Sequence, residues 1–138
     1  MFETNITPRF NETDALGHIS NTVMPNWFEI ARLPVFKIVH PPMSVQDWPI
    51  IVARVEIDFI RQVHLGSDVT VKTGVEKVGT KSFTVYQEAW QEGKIAASGR
   101  TVLVYFDYGK NSTVAIPNNI KEQLEDLQQK CFSSGCRY

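Results

Sequence analysis

Asp14, Gly17, His18 and Asn21 fall within one short, polar, glycine-containing stretch. An ionised aspartate can attack an electrophilic carbon directly, or activate a water for the same attack. A helical pattern begins just after Asn21. Backbone N–H groups at Gly17, His18 and Asn21, close to that helix start, are expected to be free to face an oxygen developing negative charge. Each preorganised donor of this kind contributes about 10²–10³ in rate. Gly17 also permits close approach of the backbone to a ligand. His18 has two readings: it shares in the chemistry, or it packs and positions its neighbours. Asp14 has an ordinary alternative too, since loop aspartates bond their own turns and cap helices.

Other constellations are weaker. His40 and His64 are far apart in the chain, and there is no Gly-x-Ser-x-Gly elbow, so a Ser-His-Asp arrangement is not expected. Cys131 and Cys136 sit in a tail without a nearby histidine, and two thiols do not complete a tetrahedral zinc site. No metal and no cofactor is therefore expected. Two cysteines are also too few for a disulfide framework, which points to a cytoplasmic location. The 14 basic and 15 acidic residues leave a net charge of −1 with no basic block, which argues against a nucleic-acid partner. No apolar run approaches the ~18 residues of a membrane span. Met1-Phe2-Glu3-Thr4-Asn5 lacks the basic-then-apolar pattern of a signal peptide. At 138 residues and 43% hydrophobic, the chain reads as one folded domain, with residues 131–138 expected to fray.

The elements that must position these residues follow from periodicity. Residues 3–10 suit a short strand. From Thr22 to Val39, Met24, Trp27, Phe28, Ala31, Val35 and Ile38 recur at helical steps, and enough other positions are apolar to predict a buried helix. Asn21 or Thr22 can cap it, Pro25 is tolerated in its first turn, and Pro34 should kink or end it. Glu29 and Arg32, three apart, suit a surface ion pair. Residues 50–60 alternate as a half-buried strand. Gly66-Ser67-Asp68 turns the chain into a second strand from Val69 to Val75, Gly79-Thr80 predicts a Gly-first hairpin turn, and Gln91-Glu92-Gly93-Lys94 predicts another. The run Thr101 to Phe106 is apolar on both faces and belongs in the middle of a sheet. A last helix follows Pro117, with Ile116, Ile120, Leu124 and Leu127 on one stripe. Consecutive hairpins would make these four long strands an antiparallel sheet wrapped around the long helix, an α+β layout.

Glu12-Thr13-Asp14-Ala15-Leu16-Gly17-His18-Ile19-Ser20-Asn21, followed by Trp27-Phe28-Glu29-Ile30-Ala31-Arg32, resembles the hotdog-fold acyl-CoA thioesterases of the 4-hydroxybenzoyl-CoA thioesterase class. That family typically shows Asp-x-Asp-x-x-Gly-His-x-x-Asn ahead of a helix with an aromatic-Phe-Glu segment. The order of elements agrees over roughly residues 5 to 108. Glu12 stands in place of the commoner first Asp and keeps the charge. Met24 stands where Tyr is usual. The resemblance implies thioester hydrolysis, with Asp14 as nucleophile or general base, the Asn21 N–H polarising the thioester carbonyl, and Gly17 and His18 shaping the pocket. It implies that the Gly79-Thr80-Lys81-Ser82-Phe83 hairpin receives the phosphates of coenzyme A, where Lys81 adds a charge and Ser82 a hydroxyl. Trp27 and Phe28 are then candidates for lining the acyl site, or else for the core.

Further expectations follow from the resemblance. The substrate is an acyl-CoA, and the chain works as a homodimer or homotetramer whose sheets join edge to edge, with Asp14 of one subunit meeting a coenzyme held partly by the neighbour's Lys81 hairpin. Two rival readings are a non-catalytic acyl-thioester binding protein and a hotdog enoyl-thioester hydratase.

Overall fold

Two tight turns join three long strands into the heart of a sheet. The computed structural model describes residues 1–133. Its elements are β1 (Phe2–Ile6), α1 (Met24–Ala31), α2 (Leu33–Val39), β2 (Ile50–Phe59), β3 (Val69–Val78), β4 (Ser82–Gln91), β5 (Lys94–Asp107), β6 (Ser112–Thr113) and α3 (Asn118–Ser133), with a 3-10 turn at Phe10–Glu12. The turn between β4 and β5 places Glu92 and Gly93 at φ 53° and 73°, the paired positive angles that let a two-residue hairpin follow the strand twist. Between β3 and β4 the turn sits one residue later than Gly79-Thr80 suggested. There the Gly79 N–H donates to the Ser82 carbonyl at 2.8 Å, leaving Thr80 and Lys81 at the tip.

The strand order is β1-β3-β4-β5-β2, every pair antiparallel, with β6 added to the end of β5. Of the long strands, only β3, β4 and β5 are joined by hairpins. β2 does not pair with β3: residues 60–68 are long enough to carry the chain across, and β2 pairs with the far side of β5 instead. β5 is thereby interior, as its two-faced apolar run required. β2 is an edge. Its alternation predicted half burial, yet Ile50 is its only buried residue, and Val52, Val55 and Phe59 are 46–48% exposed. An edge strand has one neighbour, and within one protomer nothing covers this length of it.

The sheet curls around α1 and α2. The sequence suggested one helix over residues 22–39, but the helix breaks at Arg32, ahead of Pro34. Proline has no N–H to offer the preceding turn, and its ring crowds the carbonyl four residues back. The break leaves the Arg32 carbonyl accepting the N–H groups of Val35 and Phe36 at 2.9 and 3.0 Å. Asn21 and Thr22 do not cap α1. Val23 holds the cap position without a side-chain bond, while the Ser20 hydroxyl bonds the Thr22 hydroxyl at 2.8 Å.

The core has two parts. Trp27, Phe28 and Ala31 pack with Val69, Val71, Ala89 and Ala97. Val35, Phe36 and Val39 pack with Val75, Phe83, Val85 and Leu103, closed over by Ile116, Ile120 and Leu124. Trp27 and Phe28 are 2% and 1% exposed and belong to the core of the protomer. Met24 is equally buried. The reason is the depth to which α1 sinks into the sheet: a Cβ on Gly99 of β5 would lie 2.8 Å from Phe28 Cε2 and 3.0 Å from the Glu56 carbonyl oxygen. α3 continues to Ser133, three residues into the stretch expected to fray; Cys136 lies outside the described residues.

Gly99→Ala should therefore destabilise the fold by about 1–3 kcal/mol, the usual cost of overpacking. Urea unfolding monitored by tryptophan fluorescence would measure it, with the midpoint falling and the slope unchanged.

Candidate active site

Asp14 sits in a closed loop built by its own side chain. Asp14 Oδ1 accepts the N–H of Leu16 at 2.8 Å and that of His18 at 3.1 Å. The Asp14 N–H donates to the His18 carbonyl at 2.7 Å, and the Gly17 N–H to the Asp14 carbonyl at 3.3 Å. Gly17 takes φ 79°, a conformation that a β-carbon would strain. This loop corrects the expected set of free donors. The N–H groups of Gly17 and His18 are spent inside the turn, whereas that of Asn21 has no acceptor among the described residues. Asp14 thus bonds its own turn with one oxygen, and Oδ2 takes no hydrogen bond from the described chain. Asp14 and Asn21 are exposed and His18 is half-buried.

Three contacts hold this loop against the body. The Ile19 N–H donates to the Val63 carbonyl at 2.8 Å, and the rings of His18 and His64 meet edge to face at 5.1 Å. Gln91, buried at the end of β4, pins the crossover beneath them: its amide donates to the His64 and Ser67 carbonyls and accepts the His64 N–H. Glu12 supplies the third contact. Its carboxylate accepts the Arg9 N–H at 2.8 Å and the Trp27 indole N–H at 3.0 Å, joining the loop to α1. Burial alone would raise the Glu12 pKa, but those two donors and the nearby Arg9 guanidinium together hold it below the usual glutamate range.

The second predicted feature, the β3–β4 hairpin, is well anchored. The Thr80 and Lys81 carbonyls accept the N–H groups of Ile116 and Tyr105 at 2.9 and 2.8 Å. Thr80 and Lys81 are exposed and Ser82 is half-buried. No bond joins this hairpin to the Asp14 loop within the described protomer.

A third feature escaped the sequence reading. A cavity of about 720 Å³ lies between α2, residues 43–48 and the start of β2, lined by Leu33, Phe36, Met43, Trp48 and Ile50, with Arg32 and Glu29. None of Asp14, Gly17, His18, Asn21, Thr80, Lys81 or Ser82 lines it. Arg32 is not the surface partner of Glu29: it is 4% exposed, while Glu29 is exposed and more than 4 Å from it. The i+4 step from buried Phe28 puts Arg32 on the helix's inner face. Its Nη1 donates to Gln87 Oε1 at 3.3 Å and to Thr101 Oγ1 at 3.2 Å. The Gln87 amide donates in turn to the Phe28 carbonyl at 2.8 Å and to Thr73 Oγ1 at 3.0 Å, and Thr73 donates to the Ala31 carbonyl at 3.1 Å. A signal for this network was present: Thr73 and Gln87 interrupt the apolar face of two strands, Val69-x-Val71-x-Thr73-x-Val75 and Phe83-x-Val85-x-Gln87-x-Ala89.

An antiparallel sheet curled around a central helix, with a polar loop ahead of that helix, is the hotdog fold. The model of the thioesterase-like superfamily matches residues 8–124, and the chain belongs to that family. A predicted thioesterase from Bacillus stearothermophilus is 42% identical, with a TM-score of 0.89 over 91% of this chain and 95% of that one. A thioesterase from Thermus thermophilus, solved with coenzyme A and Zn, is 29% identical, with a TM-score of 0.81 over 92% and 93%. The uncharacterized protein YsmA of Bacillus subtilis strain 168 is 27% identical over 89% of this chain and 84% of its own length. Among the described residues no helix is long and apolar enough to cross a membrane.

A glutamate whose pKa is lowered on folding stabilises the fold above its unfolded pKa, and that contribution disappears as pH falls through the folded value. Glu12→Gln should therefore be less stable than the parent near pH 7. The gap should close as the pH is lowered through and below the ordinary glutamate range. Parallel urea titrations of both proteins across that range would show the convergence.

Proposed function

We propose that this thioesterase-family chain hydrolyses an acyl-coenzyme A thioester to the free acid and coenzyme A, with Asp14 as nucleophile or general base. One observation carries the reading: Asp14 has one carboxylate oxygen fixed by two backbone N–H groups and the other without a partner in the described chain. A fixed oxygen orients the free one, and that is the pre-organisation a nucleophile or base requires. In the nucleophilic route Oδ2 attacks the thioester carbon, the C–S bond breaks and coenzyme A leaves as thiolate, taking up a proton. Water then cleaves the resulting anhydride. In the general-base route Asp14 takes a proton from the attacking water. Either route builds charge on the carbonyl oxygen, which the Asn21 N–H is proposed to meet. Gly17 and His18 shape the approach.

Thr80, Lys81 and Ser82 are the proposed cradle for the coenzyme phosphates. Two exposed side chains at an anchored hairpin tip suit a ligand that arrives from solvent. The hairpin and the Asp14 loop are proposed to meet in a homodimer. The open β2 edge, with Val52, Val55 and Phe59 uncovered, supports that assembly, because long apolar edges are otherwise sites of uncontrolled pairing. The thermophilic relative solved with coenzyme A supports the choice of thioester.

A panel of acyl-CoAs scored by free-thiol release tests the reading directly; thermal stabilisation by the esters without turnover would point to a binding protein instead. Asp14→Asn should lower kcat by at least about 10²-fold while leaving the melting temperature within a degree or two, since the amide oxygen can still accept the two turn bonds. Lys81→Ala should raise KM by roughly 3- to 10-fold with little change in kcat, and added salt should shrink the difference.

A further inference from the structure

The cavity beside α2 contains a contradiction that a ligand would resolve. It is an open cleft of about 720 Å³ whose apolar lining includes Leu33, Phe36, Met43, Trp48, Ile50 and Leu103, together with the exposed Val45, Val52 and Tyr108. That is within the size range of small-molecule pockets. Yet Arg32 also lines it, 4% exposed. Arginine stays protonated in proteins, so this is a buried positive charge. Burial opposes that charge, and the field of Glu29 offsets only part of the cost.

Among the described residues, no carboxylate lies within 4 Å of this guanidinium. Nη1 is spent on two neutral groups, Gln87 and Thr101. Nε is buried without a hydrogen-bond partner. Nη2 has no partner among the described residues but is not sealed from the cavity as Nε is. The acceptors that the described network gives this guanidinium are Gln87 Oε1 and Thr101 Oγ1, and both serve Nη1. A cation buried without an anion is costly, and the cost falls sharply when a carboxylate arrives with matching geometry. An inorganic anion would leave the apolar walls unused. An apolar body ending in a carboxylate would use both.

We propose that this cavity receives the distal part of the acyl group, and that Arg32 selects acyl groups whose far end carries a carboxylate, so that the preferred substrate is the coenzyme A monoester of a dicarboxylic acid. This rests on the thioesterase reading above. Glu29 is the lining's one carboxylate, and it is exposed. It opposes the same ligand weakly from the solvent side and so provides a control of opposite sign.

The test compares adipyl-CoA with hexanoyl-CoA, equal in chain length and differing in the distal carboxylate, by calorimetric binding to the full chain carrying Asp14→Asn and by kcat/KM with Asp14 intact. The expected preference for adipyl-CoA is about tenfold or more, the usual scale of a charge-assisted bond in a buried site. Arg32→Gln should reduce the preference to within about twofold, and Arg32→Lys should restore part of it. Glu29→Gln, at an exposed position, should raise the preference about two- to fivefold. If Arg32→Gln does not fold, the Glu29 variant decides. Equal affinity for the two esters, or a preference unmoved by these variants, overturns the proposal. Free adipate and hexanoate separate the two levels of the argument. A carboxylate preference between them that depends on Arg32, with neither ester bound, sinks the coenzyme A reading and leaves the cavity assignment standing.

Discussion

The depth at which α1 sits in the sheet governs the rest of the molecule. Phe28 reaches the backbone of β5 because position 99 carries no side chain, and at that distance a single methyl group has no room. With α1 so close, Trp27 is buried as well, and its indole N–H needs a partner. Glu12 provides it, and in doing so ties the loop that carries Asp14 to the helix. A packing constraint in the core is thus passed outward, through one hydrogen bond, to an exposed loop whose interior bonds do the rest. The loop is held by its interior bonds, and Asp14 Oδ2 is left without a hydrogen bond from the described chain.

The same helix creates the second functional feature by ending early. Pro34 forbids a continuous helix, and the interruption leaves Arg32 buried between two helical segments rather than on a solvated face. Gln87, Thr73 and Thr101 then stand where a purely apolar sheet would carry valine, and they satisfy part of the guanidinium and the carbonyls at the end of α1. The remainder of the guanidinium has no acceptor in the described chain, and an apolar cavity lies beside it. The two proposed roles, chemistry and specificity, thus fall at different ends of one helical element: the carboxylate ahead of α1, the cation behind it.

The motif around Asp14 was legible because its spacing is local. The turn Asp14 builds uses its own next four residues, so order in sequence is order in space. The helical run, the three hairpin strands and the stripe of α3 were legible for the same reason: each is a periodicity within a single segment. Other features were not. Alternation in β2 could not reveal that the strand lies at an edge, because alternation records two faces and says nothing of neighbours. Glu29 and Arg32 suited an ion pair by spacing alone, yet the direction in which the helix was buried separated them. Composition left Trp27 and Phe28 open between a ligand wall and the core, and only their burial against the sheet placed them in the core.

Taken alone, the sequence determined the kinds of element, the place of the carboxylate loop and the family, since all three depend on residue types at short separations. Only the tertiary structure decided which N–H groups remain free, which edge of the sheet stays open, and that an arginine faces an apolar cleft with no counter-ion among the described residues. Those properties arise where segments distant in sequence compete for the same hydrogen-bond acceptors and the same volume. Arg32 meets Gln87 and Thr101 only after β4 and β5 have folded beneath the helix.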